Sequence, residues 1–257
     1  MFTIPTPKLG NVSAITISSP DLERSLQFYQ KLGFNEVGRM DFPSPWIQVS
    51  DGALLIMLRK DDNPFIALTY YVNNIEEIVN ELEAQAIQFT LRPNSSDFVK
   101  RYVMKSPDGT SISLVHVPDS GFKQPSGPTM LTMPQEDYMK PEKYVNNTIG
   151  MWGEFAEPVK DLETSLKFWE KLGFVVFSKY EQPQAWAIIS DGLAIVGLHQ
   201  TNEWTGYPVM TFFAADMKDK LEKLQKEGLE IHKDFGGGNV VVKTPENQYI
   251  NLFNMGI

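Results

Sequence analysis

The chain has 257 residues, 42% of them hydrophobic, which suits one large domain or two ordinary ones and argues against disorder. Its 23 Lys and Arg against 32 Asp and Glu give a net charge of −9, with no basic patch of the kind that displaces counterions from phosphates, so nucleic acid is excluded as the expected partner. Cysteine is absent, which excludes disulfides and thiolate sites; no apolar run is long enough for a bilayer, and MFTIPTPKLG lacks a basic-then-apolar signal, so a soluble cytoplasmic protein without membrane contact is expected.

Val12 to Ser18 predicts a first strand. Leu22, Leu26, Tyr29 and Leu32 then recur at helical spacing, which predicts an amphipathic helix with Asp21 at its N-terminus. Gly33 sits just past the last turn, where a left-handed backbone is easiest for glycine. Three strands are expected near 35–41, 45–50 and 53–60, the last two joined at Asp51-Gly52. A strand from Phe65 to Val72, a helix from Asn74 to Ala86 and further strands follow, with a last hairpin turning at Pro107-Asp108-Gly109.

The chain then repeats itself. DLERSLQFYQKLGF (Asp21 to Phe34) returns as DLETSLKFWEKLGF (Asp161 to Phe174), identical at 10 of 14 positions. WIQVSDGALLIMLRK from Trp46 matches WAIISDGLAIVGLHQ from Trp186, again 140 residues on. SPDGTSISL from Ser106 matches TPENQYINL from Thr244 at an offset of 138. Three matches in one order at nearly constant offset imply two copies of one domain, at a period too long for a solenoid. The second copy has a strand from Met151 to Pro158, a helix capped by Asp161, and a later helix capped by Asp216 and ended by Gly228. Residues 1–117 and 149–257 are the two expected domains; 118–148, with five prolines, reads as a linker in which Met130, Leu131, Met133 and Tyr138 are able to pack.

The pattern DL-x-x-SL-x-FY-x-KLGF after a first strand, SDG before an apolar strand and SPDG-x-x-I-x-L at the end resembles the vicinal oxygen chelate superfamily. That superfamily includes glyoxalase I, extradiol dioxygenases, fosfomycin resistance enzymes and bleomycin-binding proteins. The resemblance covers about 10–117 and 149–255. It implies an α+β fold of two tandem domains, each two βαβββ modules forming a curled mixed-sheet cup with the helices outside. It also implies a divalent metal in the cup, held by histidine, glutamine or glutamate. At the implied ligand positions the first copy has Ala14, Met57, Phe65 and Ser113, which make no divalent site. The second has Glu154, Gly197, Pro208 and Asn251, with His199 two residues beyond Gly197. Glu154 and His199 are the two ligands available to an atypical metal there.

No glycine-rich phosphate loop or G-x-S-x-G elbow appears, and Gly236-Gly237-Gly238 reads as a loop. With the usual ligands replaced, the cups should be apolar. Trp46, Met57, Phe65, Thr69, Tyr102 and Ser113 are candidate ligand contacts in the first, and Trp152, Glu154, Trp186, His199, Met210, Phe212, Asn251 and Phe253 in the second. The expected function is metal-free binding of an aromatic or cationic small molecule, with the two domains pairing within one chain. The alternative is a metal-dependent lyase, isomerase or dioxygenase working in the second domain.

Overall fold

A computed structural model describes residues 4–118, 122–182, 184–202 and 208–255. The first repeat runs β1 (Val12–Ser19), α1 (Leu22–Lys31), β2 (Asn35–Met40), β3 (Trp46–Ser50), β4 (Leu55–Lys60), β5 (Ile66–Val72), α2 (Ile75–Ala84), β6 (Phe89–Leu91), β7 (Arg101–Lys105) and β8 (Ser111–His116). The second runs β9 (Met151–Val159), α3 (Leu162–Lys171), β10 (Val175–Tyr180), β11 (Trp186–Ser190), β12 (Ile195–Gln200), β13 (Val209–Ala214), α4 (Met217–Lys226), β14 (Ile231–Gly236), β15 (Asn239–Lys243) and β16 (Tyr249–Asn254). Each repeat forms one eight-stranded sheet, ordered β2-β3-β4-β1-β5-β8-β7-β6 and β10-β11-β12-β9-β13-β16-β15-β14. Parallel pairs such as β5–β8 and β13–β16 stand among antiparallel ones, so the sheets are mixed and the class is α+β. No helix among the described residues is long and apolar enough to cross a membrane.

Local chemistry sets the helix ends. The Asp21 carboxylate accepts from the Arg24 amide at 3.0 Å, and Asp161 accepts from Thr164 at 2.7 Å. Gly33 and Gly173 hold φ of +87° and +92°, the left-handed state that stops each helix. Asp216 departs from expectation, because its side chain does not cap α4. It pairs instead with Lys220 one turn on, at 3.1 Å, and that largely buried ammonium competes successfully for the carboxylate.

Compact packing does not follow the repeats. One unit comprises 1–15, 66–124 and 155–208; the other comprises 16–65, 125–154 and 209–257. Each therefore holds half of each repeat, and the repeats pair within one chain.

In the first unit the hairpin after β7 docks on α3. Asp108 accepts from the Ser165 hydroxyl at 2.8 Å and from the Lys160 amide at 2.9 Å. Beside it Glu157 accepts from Ser106 and, at 3.2 Å, from the indole N–H of the fully buried Trp169. Tyr70 donates to Asp191, in the turn after β11, at 2.7 Å. Burial pushes the Glu157 and Asp191 carboxyls above the usual range, and the donors around each offset part of that rise.

In the second unit the equivalent docking occurs: Ser25 on α1 donates to Glu246, in the turn before β16, and Phe34 meets Phe212 edge to face at 6.2 Å. The linker packs here too, with Met133 and Tyr144 buried, although 119–121 lie outside the described residues. Asn146 is its anchor. Its amide donates to the Leu32 carbonyl at 3.0 Å and to Asp51 at 3.2 Å, while its oxygen accepts from the Thr148 and Ile149 amides. Residues 145–150 correspond by the 140-residue offset to 5–10, and these do the same work in the first unit: Pro5 and Lys8 lie against Gly192 and Gly173.

Candidate functional site

The faces of the sheets follow from the helix contacts. Tyr102 donates to Glu76 of α2, so Tyr102 and its partners across the ladder, Leu114 and Tyr70, lie on the helix side. The neighbouring row, Thr69–Ser113–Val103, lies on the other face, which places Ser113 away from the helices and Tyr102 toward them. That corrects the expectation that Tyr102 shares a ligand-facing wall. Alternation along the strands sets it opposite.

Thr69 and Ser113 are 2% and 1% exposed, yet neither hydroxyl has a hydrogen-bond partner among the described residues. Such orphaned buried groups are uncommon in folded proteins. Tyr71 and Val115 flank the pair on the same face and make its surroundings apolar. The matching pair in the second repeat, in the other unit, is Thr211–Asn251, set side by side by the β13–β16 register. There the Asn251 amide donates to the Thr211 hydroxyl at 3.3 Å, and the two polar groups satisfy one another.

Arg39 reaches Glu23 of α1, so Met40, Trp46 and Arg59 form a row on the face away from α1, and Gln48 and Met57 form the next. Met57 is buried beside Gln48, whose amide nitrogen is another buried group without a partner, as is the Thr16 hydroxyl on β1. Trp46 is half-buried, and Phe65 precedes β5, its backbone amide bonded to the Ser18 hydroxyl at 2.7 Å. In all, Thr16, Gln48, Thr69, Ser113 and His116 carry buried unpartnered atoms on strands of the first sheet; no described strand residue of the second sheet does.

The second sheet has an aromatic row. Lys179 pairs with Glu163 of α3, so Tyr180, Trp186 and His199, matched across β10, β11 and β12, lie on the opposite face. Tyr180 stacks on Trp186 with centroids 4.5 Å apart, and Trp186 on His199 at 5.9 Å with planes 6° apart. Tyr180 had no special signal in the sequence; only the register brings it to Trp186. Trp152 and Phe212 pack on each other at 5.2 Å inside the core, and Met210 is fully buried with them. Phe253 packs with Phe213 and Phe235.

The donors do not suit a divalent ion. Ala14, Met57, Phe65 and Ser113 offer one hydroxyl and a thioether. In the second repeat Glu154 is buried on β9, and His199 on β12 is matched with Pro158. Asn251 is engaged with Thr211. No group of three or more carboxylates or imidazoles able to hold a metal occurs among the described residues.

Residues 11–114 match the family model described as Glyoxalase/Bleomycin resistance protein/Dioxygenase superfamily. A search of curated proteins finds no match to the sequence. The 2,3-dioxygenase LapB from Pseudomonas sp. KL28 is similar in structure, with a TM-score of 0.59 at 15% identity, covering 97% of this chain and 94% of that one. Homoprotocatechuate 2,3-dioxygenase from Arthrobacter globiformis aligns at 0.59 and 15%, over 98% and 82%. The Mn(II)-bound glyoxalase from Novosphingobium aromaticivorans aligns at 0.57 and 16%, over 94% and 80%. At such identities the likeness is one of fold. Residues 11–114 thus match the model of the glyoxalase, bleomycin resistance protein and dioxygenase superfamily, and the two mixed sheets share the fold of these structures along nearly the whole chain.

Proposed function

We propose that this chain binds a small organic molecule on the helix-free face of its first sheet, without a divalent metal and without turnover. One observation carries the reading: Thr69 and Ser113 present two buried, unsatisfied hydroxyls side by side, whereas their counterparts Thr211 and Asn251 are bonded to each other. A buried hydroxyl without a partner costs about 1–3 kcal/mol, which a bound ligand would recover. Each hydroxyl both donates and accepts, so the pair suits a carbonyl, amide or phenol oxygen. Tyr71 and Val115 beside them suit an aromatic body. Similar structures include a homoprotocatechuate 2,3-dioxygenase and a glyoxalase, proteins of small organic compounds, which supports the ligand class.

The test is a thermal-shift panel of phenols, aryl amides and aryl ketones, run in the presence of chelator. Binding stabilises the native state by mass action, so a true ligand raises the melting temperature in proportion to ln(1 + [L]/Kd). The response should vanish in Thr69→Val/Ser113→Ala and persist in Thr211→Val. A panel without any response, or a response that needs added metal, would sink the proposal.

A further inference from the structure

We propose a buried site for one monovalent cation between α1 and the turn before β16, formed by oxygens of Tyr29, Glu246 and Gln248 with Thr244 beside them. This site is separate from the sheet face, and its argument does not depend on the ligand proposed above. Glu246 is 6% exposed and Gln248 1%, and Tyr29 is fully buried. One Glu246 oxygen accepts from Ser25; the other has no partner among the described residues, nor have the side-chain amide oxygen of Gln248 and the Tyr29 hydroxyl. The turn holds Thr244 and Gln248 against each other. Thr244 donates its main-chain amide to the main-chain carbonyl of Gln248 at 2.9 Å, and its hydroxyl accepts from the main-chain amide of Gln248 at 3.2 Å. The Tyr29 phenol lies beside both Glu246 and Thr244, and burial next to that carboxylate keeps it protonated.

The matching place in the other unit shows how such a site is closed from within. Trp169 stands for Tyr29, Ser165 for Ser25, Asp108 for Glu246 and Thr110 for Gln248, by the 140- and 138-residue offsets. There Glu157 fills the gap, taking hydrogen bonds from Ser106, Thr110 and Trp169, and Asp108 is satisfied on both oxygens. Ile17 occupies the position of Glu157 in the first repeat and brings no polar group. Three buried oxygens, one of them a carboxyl oxygen, are left without an internal partner among the described residues. A water molecule would bridge them but leave the carboxylate's charge unpaired, which burial makes costly. A single carboxylate among neutral oxygens balances one positive charge, and an all-oxygen set suits a hard ion.

The experiment compares melting in potassium, sodium, ammonium and tetramethylammonium chloride at equal ionic strength, the last ion being too large to enter. One or more of the small ions should raise the midpoint saturably, by about 2–4 °C for a protein of this size. Equilibrium dialysis with rubidium should show one retained ion per chain if potassium is the effective one. Both effects should be lost in Glu246→Gln; should that variant fail to fold, Gln248→Leu is read in the same assays. Equal midpoints in all four salts with no retained ion overturn the proposal, as does a selective effect that survives both substitutions. A midpoint that depends on pH and not on the cation assigns the neutralising role to a proton and overturns it equally.

Discussion

The two sheets differ most where their strands agree best. At one ladder position the first sheet places Thr69 beside Ser113 and leaves both hydroxyls unsatisfied; the second places Thr211 beside Asn251 and joins them. At the docking of hairpin on helix the contrast runs the other way between the two units. The unit containing Trp169 supplies Glu157 to complete its polar cluster, while the unit containing Tyr29 has Ile17 at that place and keeps three oxygens open. Each unit of the duplicated frame thus has one polar cluster satisfied from within and one that awaits an external partner. A satisfied cluster loses no stability when empty, whereas an open one leaves stability that a ligand would restore.

The largest test of that contrast is at the matched aromatic pair. Trp169→Ala should destabilise by about 3–5 kcal/mol, since it removes a fully buried ring and strands Glu157. Tyr29→Phe should cost less than about 1 kcal/mol, because its hydroxyl has no partner to lose among the described residues. Urea unfolding of both variants would break the comparison if their costs were equal. Next in size is Asn146→Ala, expected to cost at least about 2 kcal/mol by orphaning the Thr148 and Ile149 amides. Thr6, its exposed counterpart, should tolerate alanine within about 0.5 kcal/mol. A smaller effect is predicted at the strand pairs: Thr211→Val should cost about 1–2 kcal/mol, while Thr69→Val should be neutral or stabilising in the ligand-free protein.

The smallest effect is a pH slope. Burial raises the folded-state pKa of Glu157 above its unfolded value, so the protein favours the protonated form of this group. Its contribution to stability is fully present below the ordinary carboxylate value of about 4.3 and is lost as pH rises through the raised value. As pH rises from the ordinary carboxylate value through the raised one, wild type should therefore lose stability relative to Glu157→Gln. Asp51 and Asp191 are shifted the same way by burial and remain in both proteins, so the difference isolates Glu157. Parallel pH profiles would remove it as the source of the slope.

The elements were readable because the repeat wrote each signal twice: Asp21 and Asp161 cap, Gly33 and Gly173 stop, and the strands fall within a residue or two of their expected limits. Asp216 was misread because its competitor, Lys220, belongs to the same helix face and outbids the backbone amides. Ser113 and Asn251 were legible as special positions from the family pattern. Their difference was not, since it depends on which residue the neighbouring parallel strand sets beside each. Glu157 could have been noticed: an acidic residue in a strand whose other copy has isoleucine demands buried donors. Which hydroxyls and indole would supply them is a matter of long-range packing that no local pattern encodes.

The exchange of halves between repeats has a consequence for how this chain can be taken apart. Each repeat lends its N-terminal arm and its last hairpin to the other, at Asn146 and Lys8 and at Glu246 and Asp108. Neither repeat by itself contains a finished hydrophobic core, so a fragment carrying one alone should be trapped half-folded or seek a second copy of itself. Yet the covalent link between them bears little of the burden: two separately made fragments hold, between them, every partner of both clasps. Mixed in solution, they should assemble as two hands clasp, each fastening the wrist of the other.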